Sequence, residues 1–219
     1  MPPMQAILFA MPTEVPAALQ GGQALPNPPS LPLWQLECGL VVCVGGVGKV
    51  NTALAAQYLM DRFPLTRLWN AGVAGAFHPL PAGTLVSACA CVQHDMEVFG
   101  LPPGQVPRLE GVYLPCVQGE ETAARLQAAG LDCQVGIVAS GDWFGRDVAR
   151  AARIRDQFQA AVCDMEAAAA AQVCLRSAVP FSSLKVVSDH LFHPSQHQEH
   201  RANFHAAVET LSQALAVLL

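Results

Sequence analysis

Short apolar runs alternate along the chain with longer stretches whose apolar residues recur every three or four positions. QAILFA (5–10) reads as a first buried strand, and Thr13 with Glu14 behind it as the start of a short helix. Residues 21–32, GGQALPNPPSLP, are so dense in glycine and proline that they read as loop throughout. LWQLECGLVVCVGG (33–46) reads as a hairpin or as two successive strands, and helical spacing then runs from 51 to about 62. TRLWNAGVAGAF (66–77), GTLVSACACVQHD (83–95) and QVGIVASGD (134–142) are three further strands. Helices are expected at about 147–158 and 166–177, then VPFSSLKVVSD (179–189) as a strand, then a final helix over about 196–219.

Strands alternating with helices predict an α/β fold: a three-layer α/β/α sandwich around a mixed, largely parallel sheet. No shift in composition divides residues 1–219, so a single domain is expected. In such sheets the ligand site forms at the carboxyl ends of the strands. Glu14, Asn70, His94 with Asp95, Ser140 with Asp142, Glu166, and Ser188 with Asp189 all fall at such ends. They come from distant parts of the sequence, yet the topology gathers them on one rim.

Composition narrows the function classes. The chain is 52% hydrophobic and only 13% charged, which predicts a compact fold whose weakly charged surface is partly buried against another subunit, as in a homodimer. The net charge is −5, the first basic residue is Lys49 and no Lys/Arg cluster occurs, so no nucleic-acid partner is expected. No apolar run reaches spanning length and the N-terminus lacks a basic leader, so neither a membrane span nor a secretory signal is expected. The eight cysteines form no Cys-x-x-Cys pair and most sit inside apolar segments, as expected for reduced thiols of a cytoplasmic protein without structural zinc.

The stretch VVCVGGVGKVN (41–51) invites comparison with a phosphate-binding loop. That loop needs a glycine six residues before the lysine and a hydroxyl residue after it; here these places hold Cys43 and Val50. The dinucleotide fingerprint fails as well, because its third glycine position is Asn51. A tight strand-to-helix turn is the better reading.

In CDMEAAAAAQV (163–173), Asp164, Met165 and Glu166 precede a helix made almost wholly of alanine. A carboxylate there complements the helix dipole, and it also suits a vicinal diol such as a ribose. Set beside AMPTEV (10–15), GVGKV (46–50), WNAGVAGAF (69–77), IVASGDWFG (137–145) and SSLKVVSDH (182–190), this segment resembles the purine nucleoside phosphorylase/nucleosidase superfamily. The pattern is most similar to that of the methylthioadenosine/S-adenosylhomocysteine nucleosidases. It runs in order from about residue 5 to the C-terminus.

The resemblance implies hydrolysis of the N-glycosidic bond of adenine nucleosides with a 5′-thio substituent, without a cofactor or metal. By motif, Asp189 is the general acid toward N7 of the purine and Glu14 orients the attacking water. Glu166 holds ribose hydroxyls over Met165, Phe144 stacks on the base, and Ser188 positions Asp189. Val47, between the turn's two glycines, is expected to meet the 5′-alkylthio group of the neighbouring subunit's substrate across a dimer interface. Protonating a departing purine requires Asp189 to hold a proton near neutral pH while Glu14 stays ionised.

Two binding positions depart from the pattern: Val73 stands where the family has serine, and Lys185 where it has arginine. Both touch the water side of the reaction, which keeps a futalosine hydrolase, a phosphorylase on the same fold, or a catalytically impaired nucleoside-binding protein as alternatives. A phosphorylase needs cationic phosphate donors, and the N-terminal segment offers Glu14 in their place. Five histidines crowd 190–205, of which His197 and His200 fall near one helical face; a solvated helix edge is the expected reading.

Overall fold

A computed structural model describes residues 4–28, 30–144 and 147–219. In chain order the elements are β1 (Met4–Phe9), β2 (Gln23–Ala24), β3 (Leu33–Gln35), β4 (Val41–Val44), α1 (Lys49–Arg62), β5 (Leu65–Ala76), β6 (Leu85–Gln93) and β7 (Leu114–Pro115). They continue with α2 (Gly119–Ala128), β8 (Cys133–Ser140), α3 (Val148–Phe158), β9 (Ala160–Asp164), α4 (Ala167–Arg176), β10 (Phe181–His190) and α5 (Gln196–Leu218).

The layers follow from strand alternation. In β1, Ala6 and Leu8 face a core shared with α1 and α4, while Ile7 and Phe9 face a core shared with α2 and α5. This is the expected α/β/α sandwich on a mixed sheet. Segment 33–46 resolves as an antiparallel pair of β3 with β4. The glycine- and proline-rich segment 21–32 is not wholly loop, because Gln23 and Ala24 pair with β3. The helical start at Thr13 is a single 3₁₀ turn, Pro12–Glu14.

The sheet does not stay open. β5 pairs with β10, β10 with β6, β6 with β8, β8 with β9, and β9 returns to β5. β5 is 12 residues long and changes partners along one edge. β1 accompanies that edge only to Asn70, and β9 takes it up only at Gly75. Over 71–74 the edge has no strand partner, while the opposite edge stays paired to β10. A gap in the ladder at a strand's carboxyl half leaves backbone donors that other groups must satisfy.

The alanine run of α4 is explained by position. Ala167 to Ala171 are all buried, because α4 lies on the sheet and against α1 at once, and only a methyl fits between. The N-terminus of this helix carries the site carboxylates, so its seating sets their place. Ala170→Leu is expected to overpack this contact and cost about 1–3 kcal/mol, read as a lower denaturation midpoint in urea with an unchanged slope.

Candidate active site

The gap in the β5 edge opens into a cavity of about 410 Å³. Its wall is built from the end of β1 and the turn after it (Ala10, Met11, Glu14), the gap itself (Val73, Ala74, Gly75), the end of β9 (Cys163 to Glu166), and Ser188 with Asp189 on β10. Val47, Phe144 and His200 close the rim. A larger cleft of about 610 Å³ lies nearby at Pro12 and Trp34, but no titratable side chain lines it.

Glu14 fills the gap. Its Oε1 accepts from the Val73 N–H at 3.1 Å, and its Oε2 accepts from the amides of Met11 at 2.9 Å and Ala10 at 3.1 Å. Three amide donors suit a carboxylate, yet burial pushes its pKa above the usual value, against the pull of Lys185 and those amides. Gly72 makes room for it: a Cβ there would lie 2.6 Å from Glu14 Oε1. Gly75 does the same for the second carboxylate, since its Cβ would meet Asp189 Oδ2 at 3.1 Å. The spacing Asn-x-Gly-x-Ala-Gly is thus explained by two acids that need room beside one strand.

Asp189 sits just past a bulge. β10 follows β5 in register through Val187 opposite Ala74, then skips so that Asp189 faces Gly75. The skip lets the neighbours Ser188 and Asp189 both reach the cavity, whereas a regular strand would send them to opposite faces. Asp189 Oδ1 accepts from Ser188 Oγ at 2.6 Å and faces His200 Nδ1 at 3.2 Å; Oδ2 accepts from Gln196 Nε2 at 2.8 Å. Burial favours the neutral acid, but these three partners together hold the carboxyl below its ordinary value. The general-acid role implied for Asp189 needs a proton held near neutral pH, and these neighbours work in the opposite direction.

Beneath the cavity Lys185 Nζ lies 2.7 Å from Asp164 Oδ2, both side chains buried. Lys185 is not on the cavity wall. Burial works against its charge, yet Asp164, Glu166 and Glu14 keep its pKa above the ordinary value. Asp164 also accepts from Ser140 Oγ and from the Ala167 N–H at the start of α4. Glu166 is pushed up to about 7, first by burial and then by Asp164, with Lys185 and an amide opposing.

That amide belongs to Gly48, whose N–H donates to Glu166 Oε1 at 2.9 Å, while the Lys49 N–H donates to Asp142 Oδ1 at 2.8 Å. The Lys49 ammonium pairs with Asp95 at 2.6 Å. The turn that looks like a phosphate loop has spent these donors on carboxylates. Val47, 43% exposed on this turn, lies at the rim of this chain's cavity.

Of the residues singled out in the sequence, Glu14, Val47, Val73, Phe144, Met165, Glu166, Ser188 and Asp189 line one cavity, and Lys185 lies under it. His94 is buried, with neither ring nitrogen hydrogen-bonded. The sequence reading missed Gln196 and His200 as site residues, although they stand at i and i+4 on α5, with Asn203 completing the stripe onto the Ser188 carbonyl at 3.0 Å. Polar residues at the places that Ala207, Leu211 and Ala214 occupy further along α5 were the available signal. Gly72→Ala is expected to displace Glu14 and lower catalytic turnover by about 10²-fold or more, with circular dichroism and folding retained.

The model of the Phosphorylase superfamily matches residues 5–219. The 5′-methylthioadenosine/S-adenosylhomocysteine nucleosidase of Geobacillus thermodenitrificans (strain NG80-2) is 37% identical over 185 residues, covering 82% of this chain and 76% of that protein. The aminodeoxyfutalosine nucleosidase of Campylobacter jejuni subsp. jejuni is 37% identical over 155 residues, covering 68% of this chain and 67% of that protein. Among solved structures, the 5′-methylthioadenosine/S-adenosylhomocysteine nucleosidase from Neisseria meningitidis in complex with methylthio-immucillin-A superposes with a TM-score of 0.88. It is 26% identical and the match covers 98% of this chain and 97% of that one.

Proposed function

The chain belongs to the phosphorylase superfamily, and from that premise we propose that it is a nucleosidase hydrolysing 5′-thio-substituted adenine nucleosides such as 5′-methylthioadenosine and S-adenosylhomocysteine. The observation that carries the reading is the pair of carboxylates on opposite sides of the β5 gap, Glu14 against Val73 and Asp189 against Gly75. Loss of a purine leaves an oxocarbenium-like sugar, so the site must give a proton to the base and direct water at the anomeric carbon. Asp189 serves the first need at N7, positioned by Ser188 at 2.6 Å. Glu14 serves the second: with its amide partners holding it rigidly, a free lone pair points a water into the cavity and takes its proton.

Glu166 accepts from the ribose hydroxyls while anchored by the Gly48 amide, and Met165 packs under the sugar. Phe144 stands at the mouth, 54% exposed, where a base can cover it. Val47 and Met11 offer an apolar surface to the 5′-thio group. The serine absent at Val73 leaves the water to Glu14 alone, while the Val73 backbone still holds that carboxylate. Lys185 acts through Asp164 and Glu166 rather than on substrate. Among the described residues no Lys or Arg lines the cavity and four carboxyl groups do, an environment that repels phosphate and favours hydrolysis over phosphorolysis.

Beyond the site, Val50 (78% exposed) and Leu54 (54%) extend Val47's apolar surface along α1, and Phe99 is fully exposed, in keeping with a homodimer. All eight cysteines are free thiols, in keeping with a cytoplasmic enzyme. One domain suffices, since the cavity draws on residues from 10 to 200. A second reading, on a substrate with another 5′ group, rests on the aminodeoxyfutalosine nucleosidase of Campylobacter jejuni, as identical in percentage but over a shorter stretch.

Adenine release followed by chromatography tests the reading. The wild type is expected to liberate adenine from 5′-methylthioadenosine faster than from aminodeoxyfutalosine, and Asp189→Asn to lose about 10²–10⁴-fold in kcat. The reverse order of substrates supports the second reading, and full activity in Asp189→Asn removes the assigned acid.

A further inference from the structure

Asp189 poses a problem that its own surroundings answer. Ser188 and Gln196 donate to it, and with His200 they favour its charged form, so the proton for the leaving base needs a source. One of these partners is an imidazole, a group chemically able to carry and pass on a proton. His200 Nδ1 lies 3.2 Å from Asp189 Oδ1 and 3.1 Å from Ser188 Oγ. Its ring is clamped edge-on between Phe144 and Phe204, each with centroids 5.6 Å away. It lines the cavity and its side chain keeps 20% exposure, reaching solvent beside a carboxyl that is 2% exposed.

We propose that His200 loads the proton that Asp189 delivers to the leaving base. This rests on the nucleosidase reading above. The imidazolium Nδ1–H bond breaks as the Asp189 Oδ1–H bond forms, leaving the electron pair on Nδ1. The Asp189 O–H bond then breaks as N7–H forms, and the glycosidic electron pair leaves with the purine. Water adds at the sugar carbon and gives its proton to Glu14. Solvent returns a proton to His200 and removes one from Glu14, which restores the starting state. Substrate arrival favours the first transfer, because a purine placed against Asp189 excludes water and makes the separated charge pair costly.

Among the described residues, the surroundings leave this exchange to the pair. From β10, His200 faces Ser188 and Asp189; from the loop after β8 it faces uncharged Phe144. On α5, Gln196 donates to Asp189 Oδ2, and Glu199 is taken by the His190 ring at 2.7 Å. Arg201 and His197 are the other titratable neighbours on that helix. Glu14, Cys163, Asp164 and Glu166 share the cavity without a hydrogen bond to His200. His200 is a positioning residue in this scheme, acting through Asp189.

The test compares wild type with His200→Asn, which keeps a donor near Nδ1 but carries no exchangeable charge. Two substrates are used, 5′-methylthioadenosine and a 5′-methylthio-riboside of 4-nitrophenol, whose leaving group departs without a proton. The kcat/KM of His200→Asn for the adenine substrate is expected to fall at least about tenfold at pH 7. The loss on the phenyl riboside should be several-fold smaller, and the alkaline limb of the wild-type pH profile should lose one proton step. An unchanged pH profile, or equal losses on both substrates, overturns the inference while leaving the nucleosidase reading in place. A wild type that releases no adenine overturns that reading, and this inference with it.

Discussion

One ammonium serves three buried carboxyl groups at the floor of this cavity, and the chemistry depends on that shortage. Lys185 is paired with Asp164 at 2.7 Å and also bears on Glu14 and Glu166. Charges taken out of water are costly unless matched, so three anions cannot share one cation without one of them holding its proton more tightly. Burial pushes two of them up: Glu14 rises above its ordinary value, and Glu166, with Asp164 beside it, rises to about 7. Its native value lies above its unfolded value, so the native state binds the extra proton below about 7. Ionising Glu166 therefore removes stability as pH rises from about 4.5 toward 7, and that stability returns as pH falls. Above that window Glu166 is charged, the form that the proposed ribose contact uses. The site thus carries a stability cost in the form in which it binds.

The backbone provides the space that this charge arrangement occupies. β5 loses its neighbour over 71–74, Glu14 satisfies the amide left at Val73, and two glycines clear the strand for two acids. The bulge at Ser188 turns Asp189 toward the same opening. The two carboxylates then face the same strand from opposite edges, the separate environments that the proposed acid and base roles require. The turn at 46–49 adds a clamp, the Gly48 amide tied to Glu166, the Lys49 amide to Asp142 and the Lys49 ammonium to Asp95.

Much of this arrangement is legible in the sequence, and the exceptions share a cause. The strand ends bearing Glu14, Glu166 and Asp189 are local signals: an apolar run that stops at a polar residue. β9 escapes a periodicity reading because a strand of five residues sits between α3 and α4 and looks like part of them. The closure of the strands and the gap at 71–74 arise from long-range pairing, which no local pattern encodes. His200 is invisible for the same reason. It lies 11 residues past Asp189, and only the return of α5 onto β10 makes them partners. The ammonium of Lys185 reads as a substrate contact from its motif position, while its burial one layer down makes it the counter-ion of Asp164.

The titration of the two glutamates in the ligand-free protein, followed by side-chain carboxyl ¹³C shifts with Glu14→Gln and Glu166→Gln to assign them, reaches the charge shortage directly. Glu166 is expected to titrate near 7 and Glu14 above the ordinary glutamate value. Both titrating at or below the ordinary value would mean that Lys185 satisfies the buried carboxylates unaided, and would contradict the account.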